Sequence, residues 1–250
     1  MNSHSFVIAL VSTFAFGAGC GSSAINGAAS TTEDLGSGAG GVSSLPSRPC
    51  TPSNTLRAPA DGLIADFKDA GGGIEISGGI VTYAAPKVAG LGSASYTTTG
   101  GALAITVNTA PVSKPQFLGV VVAFDKCIDA RAFTGVQFTI SGSFSGCSLQ
   151  FATGDAEHQD MTFASSFATG PAGSYPPQDR IAADEMTATP RIVKAPFAVT
   201  DVQGSPAVPL DPSKLISTQW QFTVPVAAEG ETDNPMCKGS VTVDNVKFYR

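Results

Sequence analysis

The sequence predicts an all-β fold, a sandwich or a barrel, and three observations predict it. Good helix formers are outweighed by Gly, Pro, Thr, Ser and Val, with 28 Gly and 17 Pro among 250 residues. Short apolar–polar alternations recur from about residue 58 onward. Gly, Pro, Asn, Asp and Ser separate these runs as turn residues do. The length allows one β-sandwich domain or two small domains.

The first segment reads as an address. Residues 6–16 (FVIALVSTFAF) form an uncharged apolar run. A membrane-spanning helix needs about 20 such residues, so this run has the length of a secretory signal instead. Gly17-Ala18-Gly19-Cys20 follows and resembles a bacterial lipobox, which implies a signal peptide over 1–19 and lipidation of Cys20. The stretch 1–5 lacks Lys and Arg, and Gly17 stands where a lipobox usually has Leu. Residues 21–47 are largely Gly, Ser, Ala and Thr and carry too little apolar surface to fold. A tether of about 30 such residues spans roughly 30 Å. The expected organisation is therefore a signal peptide (1–19), a Gly/Ser-rich tether with lipidated Cys20 (20–57) and a folded domain (58–250). Contact with the membrane would run through the lipid alone. Nothing in Gly21 suggests inner-membrane retention, so the expected site is the bacterial outer membrane or cell surface.

The predicted strands are 63–67 (LIADF), 79–83 (GIVTY), 102–107 (ALAITV), 117–124 (FLGVVVAF), 134–140 (TGVQFTI), 148–151 (SLQF), 195–199 (APFAV), 218–224 (TQWQFTV) and 240–249 (SVTVDNVKFY). Helix is limited to single turns at 129–133 (DARAF) and 211–215 (DPSKL), the second with Asp at the N-cap and Pro at N1. Successive side chains of a strand point to opposite faces. Val136, Phe138 and Ile140 thus oppose Gln137 and Thr139. Leu149 and Phe151 oppose Gln150, and Trp220, Phe222 and Val224 oppose Gln219, Gln221 and Thr223. The apolar sets belong to the core between two sheets. Trp220, in step with Phe222 and Val224, reads as a core residue rather than a sugar-stacking platform.

Four cysteines remain after Cys20, an even number in an exported chain, which predicts two disulfides. No short Cys-x-x-Cys spacing suggests zinc. Cys147 and Cys237 each precede a strand-like run, which places them at one end of adjacent strands. The expected pairs are Cys147–Cys237 and Cys50–Cys127.

Composition excludes some partners. Lys plus Arg is 14 and Asp plus Glu is 20, a net charge of −6, and charged residues are 14% of the chain. No basic stripe is available to neutralise phosphates, so nucleic acid is excluded. A monomer is expected.

Three stretches together resemble the galactose-binding-like domain of carbohydrate-binding modules, most closely family 11. They are 63–69 (LIADFKD), 127–135 (CIDARAFTG), and 215–222 (LISTQWQF) with 241–248 (VTVDNVKF). The resemblance implies a two-sheet antiparallel β-sandwich, a jelly roll, whose concave face holds a glycan chain. It also implies a structural Ca²⁺ near the first and last strands, with Asp66, Asp69 and Asp244 as ligands. Lys68 replaces the family's usual Glu there and Asn245 its second Asp. One carboxylate is lost and an ammonium gained, which weakens a calcium site. Pairing of Lys68 with Asp244 is the alternative.

Residues with chemistry are few. His158 is the single histidine after the leader, beside Asp155, Glu157 and Asp160. A metal site or a general base is one reading, and a solvated polar loop is the plainer one. No GxSxG elbow exists. Glu229 and Glu231 lie in a Gly-rich acidic turn, better suited to a hairpin tip than to a glycosidase pair. Tyr175, Arg180 and His158 fall in one long Pro- and Ala-rich loop, from which a lyase-like site can be imagined. No catalytic residue is therefore assigned. Gln137, Gln150, Gln219 and Gln221 instead offer uncharged donors and acceptors suited to hydroxyl-rich ligands, with Tyr83 and Tyr96 adding stacking surface. The competing reading is an ordinary solvent-exposed polar face. The expected function is non-catalytic binding of a single glycan chain by a surface lipoprotein. A structural or adhesion role is the alternative, and a glycan-cleaving enzyme is the third.

Overall fold

The computed structural model describes residues 50–68, 74–76, 78–85, 92–98, 100–112, 115–157, 178–198, 210–226 and 236–250. Within them the chain is a sandwich of two sheets. Twelve strands are β1 (Thr55–Arg57), β2 (Leu63–Ala65), β3 (Gly78–Ala85), β4 (Gly92–Thr97), β5 (Leu103–Thr109), β6 (Gln116–Asp129), β7 (Gly135–Ser145), β8 (Ser148–Asp155), β9 (Gln178–Ile181), β10 (Arg191–Pro196), β11 (Leu215–Val224) and β12 (Lys238–Tyr249). A single-turn 3₁₀ helix at Ala183–Glu185 is the one helical element among the described residues.

Sheet A runs β1-β6-β11-β8-β9, and β3 pairs with β6 on the side away from β11. Sheet B runs β10-β7-β12-β5-β4, and β2 pairs with β12. Pairing is antiparallel except for β1 against β6. Long β6 serves two edge strands in succession, β3 along residues 117–124 and β1 along 127–129.

Alternation builds the core as the sequence predicts. Trp220 and Phe222 from β11 and Phe151 from β8 are fully buried, as are Val136, Phe138 and Ile140 from β7 of the facing sheet. Phe138 meets Trp220 edge-on at 5.4 Å and Phe151 at 4.7 Å, and Phe144 meets Phe222 edge-on at 5.7 Å. These contacts cross between the two sheets, and edge-to-face rings add attraction beyond burial alone.

Both expected disulfides are present, Cys50–Cys127 and Cys147–Cys237. Their placement differs in one respect. Cys147 lies in the turn from β7 in sheet B to β8 in sheet A, and Cys237 directly precedes β12 in sheet B. The bond thus fastens the β7–β8 crossover to the start of β12, which neighbours β7 in sheet B and not the β8 that Cys147 precedes. Cys50 holds the entering chain to β6, and β1 then pairs with β6. Residues from Cys50 onward are therefore part of the folded unit, eight residues ahead of the expected boundary at 58. The two predicted helical turns are simple turns. Phe133 N–H donates to the Ala130 carbonyl, and Lys214 N–H to the Asp211 carbonyl. Asp211 Oδ1 also accepts from Ser213 N–H at 2.9 Å, the role expected of it as a cap.

Candidate functional site

The outer face of sheet A carries the feature that the alternation pointed to. Across its strands, Tyr83 pairs with Gly119, Gly119 with Gln221, Gln221 with Gln150, and Gln150 with Arg180. Directly opposed residues share a face, so these five positions form one row over β3, β6, β11, β8 and β9. With strands about 4.8 Å apart, the row spans roughly 19 Å. The next row places Val81, Val121, Gln219 and Ala152 together. On the other side lie Phe117, Thr223 and Ser148.

Gly119 shapes the row. A Cβ there would lie 2.1 Å from the Trp220 carbonyl oxygen on β11, so no side chain fits. The gap lets Tyr83 reach across β6, and its hydroxyl donates to Gln221 Oε1 at 2.9 Å. The chain of contacts continues from Gln221 Nε2 to Gln150 Oε1 at 3.4 Å, and Thr223 Oγ1 donates to the same oxygen at 3.3 Å. A tyrosine lying over a cross-strand glycine also supports the strand pair mechanically.

The face is not the plain solvated surface of the competing reading. Gln150, Gln219 and Gln221 are only 7%, 4% and 3% exposed. Buried amides need partners, because desolvation without a hydrogen bond costs free energy. Gln221 and Gln150 find them in Tyr83, Thr223 and each other. Gln219 Nε2 has none among the described residues. The glutamines form a floor, and a rim stands around them of half-buried Tyr83 and Thr223 and of exposed Phe117 and Arg180.

Gln137 does not join this set. It lies on β7, opposite Lys194 and Lys247, on the outer face of sheet B. Grouping it with the other glutamines is therefore corrected. Alternation says which side of a strand faces the core, but not which sheet the strand enters. Tyr96 also lies in sheet B, where its hydroxyl donates to the Ile80 carbonyl of sheet A at 3.1 Å. Burial raises its pKa. It links the sheets and contributes no stacking surface to the row. Trp220 is fully buried, as its alternation predicts.

The calcium ligands are only partly within view, since Asp69 lies outside the described residues. Asp66 follows β2, and its carboxylate accepts from Lys68 N–H at 3.1 Å and pairs with the Lys68 ammonium at 3.1 Å. These two bonds hold its pKa below the ordinary range. Lys68 thus neutralises Asp66, where the sequence suggested Asp244 as its partner. Phe67 between them has a left-handed backbone, φ 54°, with its ring fully buried. Asp244 Oδ1 accepts from Asn245 N–H, and Asn245 sits at φ 51° in a β-bulge where β12 carries one more residue than β7. Asn tolerates that conformation well. Among the described residues, no three His, Cys, Asp or Glu side chains gather as metal ligands would.

His158, Asp160, Tyr175, Glu229 and Glu231 lie outside the described residues, as do Cys20 and the segments before Cys50. No helix among the described residues is long and apolar enough to cross a membrane. Asp155, suggested as a partner for His158, is fully buried and accepts from Glu157 N–H at 2.8 Å and Asp211 N–H at 2.7 Å. It fastens the end of β8 to the turn before β11. Arg180 moves from a loop in the sequence reading to β9, at the end of the glutamine row. Nothing in the Pro- and Ala-rich sequence around it signalled a strand.

No family model matches the sequence, and no curated protein matches it. Among solved structures, the chain is similar to the family 11 carbohydrate-binding module of the cellulosomal cellulase Lic26A-Cel5E of Clostridium thermocellum. Identity is 13%, with 75% of this chain and 92% of that chain covered and a TM-score of 0.42. It is similar at 14% identity to a family 11 module from Clostridium thermocellum in complex with a β-1,3-1,4-mixed-linked tetrasaccharide, with coverage of 75% and 94% and a TM-score of 0.43. A third similar structure is the Spr0440 glycoside hydrolase domain, Endo-D, from Streptococcus pneumoniae R6. There identity is 10%, coverage is 74% of this chain and 26% of that chain, and the TM-score is 0.35.

Proposed function

We propose that the chain is a non-catalytic carbohydrate-binding protein that takes a single glycan chain along the outer face of sheet A, held at a bacterial cell envelope by a lipid on Cys20. One observation supports this reading above the others. Two adjacent low-exposure amides, Gln221 and Gln150, lie at the centre of the row that crosses the face, and the buried Gln219 Nε2 donor beside them has no partner among the described residues. Sugar hydroxyls both donate and accept, and an amide floor matches them without the desolvation cost of a charge. Tyr83 and Phe117 on the rim supply apolar surface for the faces of the rings.

A structural role is the second reading, and it too has an observation behind it. Tyr83, Gln221, Gln150 and Thr223 satisfy one another, as residues that merely order a sheet would do.

Binding of the full-length chain to a glycan array and to immobilised polysaccharides separates the two, with calcium and with chelator. The glycan reading expects retention that Gln219→Leu and Gln221→Leu each weaken at least tenfold, while Gln137→Ala on the other sheet changes nothing. A folded protein that retains no glycan supports the structural reading, and glycan retention that ignores Gln219→Leu and Gln221→Leu rules out the outer face of sheet A as its site. Loss of retention on chelation would show that an ion is required, and only its reproduction by Asp66→Asn and Asp244→Asn would assign Ca²⁺ to the set Asp66, Asp69 and Asp244.

A further inference from the structure

The glutamine row is uncharged until its last position. There Arg180 on β9 stands opposite Gln150. Its neighbour Ile181 is buried in the core, so alternation turns Arg180 to the outer face with the glutamines. Its side chain is exposed, and no carboxylate pairs with it among the described residues. Some other cations among the described residues have such partners, while Lys126, Lys238 and Lys247 do not. Lys68 pairs with Asp66, Arg131 with Asp129, Arg191 with Glu185, and Lys214 with both Glu157 and Asp211. A guanidinium offers a planar fork of donors that matches a carboxylate in two parallel bonds.

From this placement we infer that the face is selective for acidic glycans, with Arg180 receiving the carboxylate of a uronic acid residue while the amide row receives the hydroxyls. The inference rests on the carbohydrate reading of the same face and adds the ligand's charge to it. A uronate rather than a sulfated sugar is favoured because one cation stands beside many neutral groups. A densely sulfated chain would call for several cations. The net charge of −6 opposes an anionic polymer. That field is screened beyond about 10 Å in 0.1 M salt, whereas the contact at Arg180 is short.

The test measures retardation of the full-length chain by affinity electrophoresis. The gels carry polygalacturonate, the same polymer with its carboxyl groups reduced to neutral alcohols, or dextran sulfate. The inference predicts stronger binding to polygalacturonate than to its reduced form. Arg180→Gln should lower polygalacturonate affinity about tenfold, the worth of a charge-assisted contact, and so remove the preference over the neutral polymer. Arg180→Lys should keep part of the preference. Equal binding of both galactose polymers, a preference that survives Arg180→Gln, or stronger binding to dextran sulfate would overturn it. If the neutral polymer binds, Gln219→Leu abolishes that binding and Arg180→Gln has no effect on either polymer, this inference fails alone. If the folded chain is retarded by no polymer, the carbohydrate reading fails with it.

Discussion

At the scale of single residues, polar groups lie where alternation sets them, and their partners decide what they do. Asp129, at the end of β6, shows this away from the glycan face. Its carboxylate takes Arg131 Nε at 2.9 Å on one oxygen and the terminal guanidinium nitrogen at 2.7 Å on the other. The side-chain bonds from Arg131, joined by its backbone N–H and by the charges of Arg131 and Arg57, outweigh desolvation and hold the Asp129 pKa below the ordinary value. The folded pKa is therefore lower than the unfolded one. The stabilisation is fully present above the unfolded value, about 4, and is lost as pH falls through the folded value. Asp129→Asn should cost less than about 1 kcal/mol at pH 7, because the pair is near the surface, and the difference should shrink toward pH 3. Urea midpoints of both proteins at the two pH values check this. A difference that persists undiminished at pH 3 would assign the effect to something other than charge.

At the scale of elements, the same row shows what a sequence discloses and what it withholds. The alternations at 134–140, 148–151 and 218–224 identify the core-facing side of β7, β8 and β11 correctly, because strands repeat every two residues. They do not disclose that β7 enters one sheet while β8 and β11 enter the other, so Gln137 is separated from Gln150, Gln219 and Gln221 by the thickness of the sandwich. Pairing is set by long-range packing that no local window contains. β1 is only three residues long, and β4 (GSASYT) carries mostly small polar side chains, so neither offers a strong periodic signal. β9 hides beside a Pro-rich stretch, and with it the position of Arg180. Gly119 is legible in neither composition nor period, since its role depends on the Trp220 carbonyl of a strand a hundred residues away. Gly119→Val should push β6 from β11 and cost about 3 kcal/mol or more in thermal or urea unfolding. Gly79, on the partner strand β3, has nothing within 4 Å of its Cβ position, and Gly79→Val should be close to neutral. Equal effects of the two substitutions would contradict the crowding described at Gly119.

At the scale of the whole molecule, two long-range covalent ties close the sandwich. Cys50–Cys127 spans 77 residues and Cys147–Cys237 spans 90. In the chain-entropy description, loops of this length restrict the unfolded chain enough to stabilise the fold by about 4–5 kcal/mol each. Their cysteines are countable in the sequence, and both pairings agree with the structure, although the reason for one is a crossover between sheets. Cys147→Ser with Cys237→Ser should lower unfolding stability by about 4 kcal/mol while leaving the β-sheet circular dichroism intact. A loss under 1 kcal/mol would mean that the reduced, unfolded chain is already restricted in some other way.

The claim on which the functional account turns is that a glycan meets the glutamine floor of sheet A. Side-chain amide NMR reads it most directly, since each glutamine contributes its own pair of Nε2–H signals, assignable by substitution. On titration of the full-length chain with an oligosaccharide drawn from its array hits, the account predicts shifts at Gln219, Gln221 and Gln150. Gln137, on the opposite sheet, should stay in place. Shifts confined to Gln137, or a bound glycan that leaves all four amides unmoved, would contradict the account.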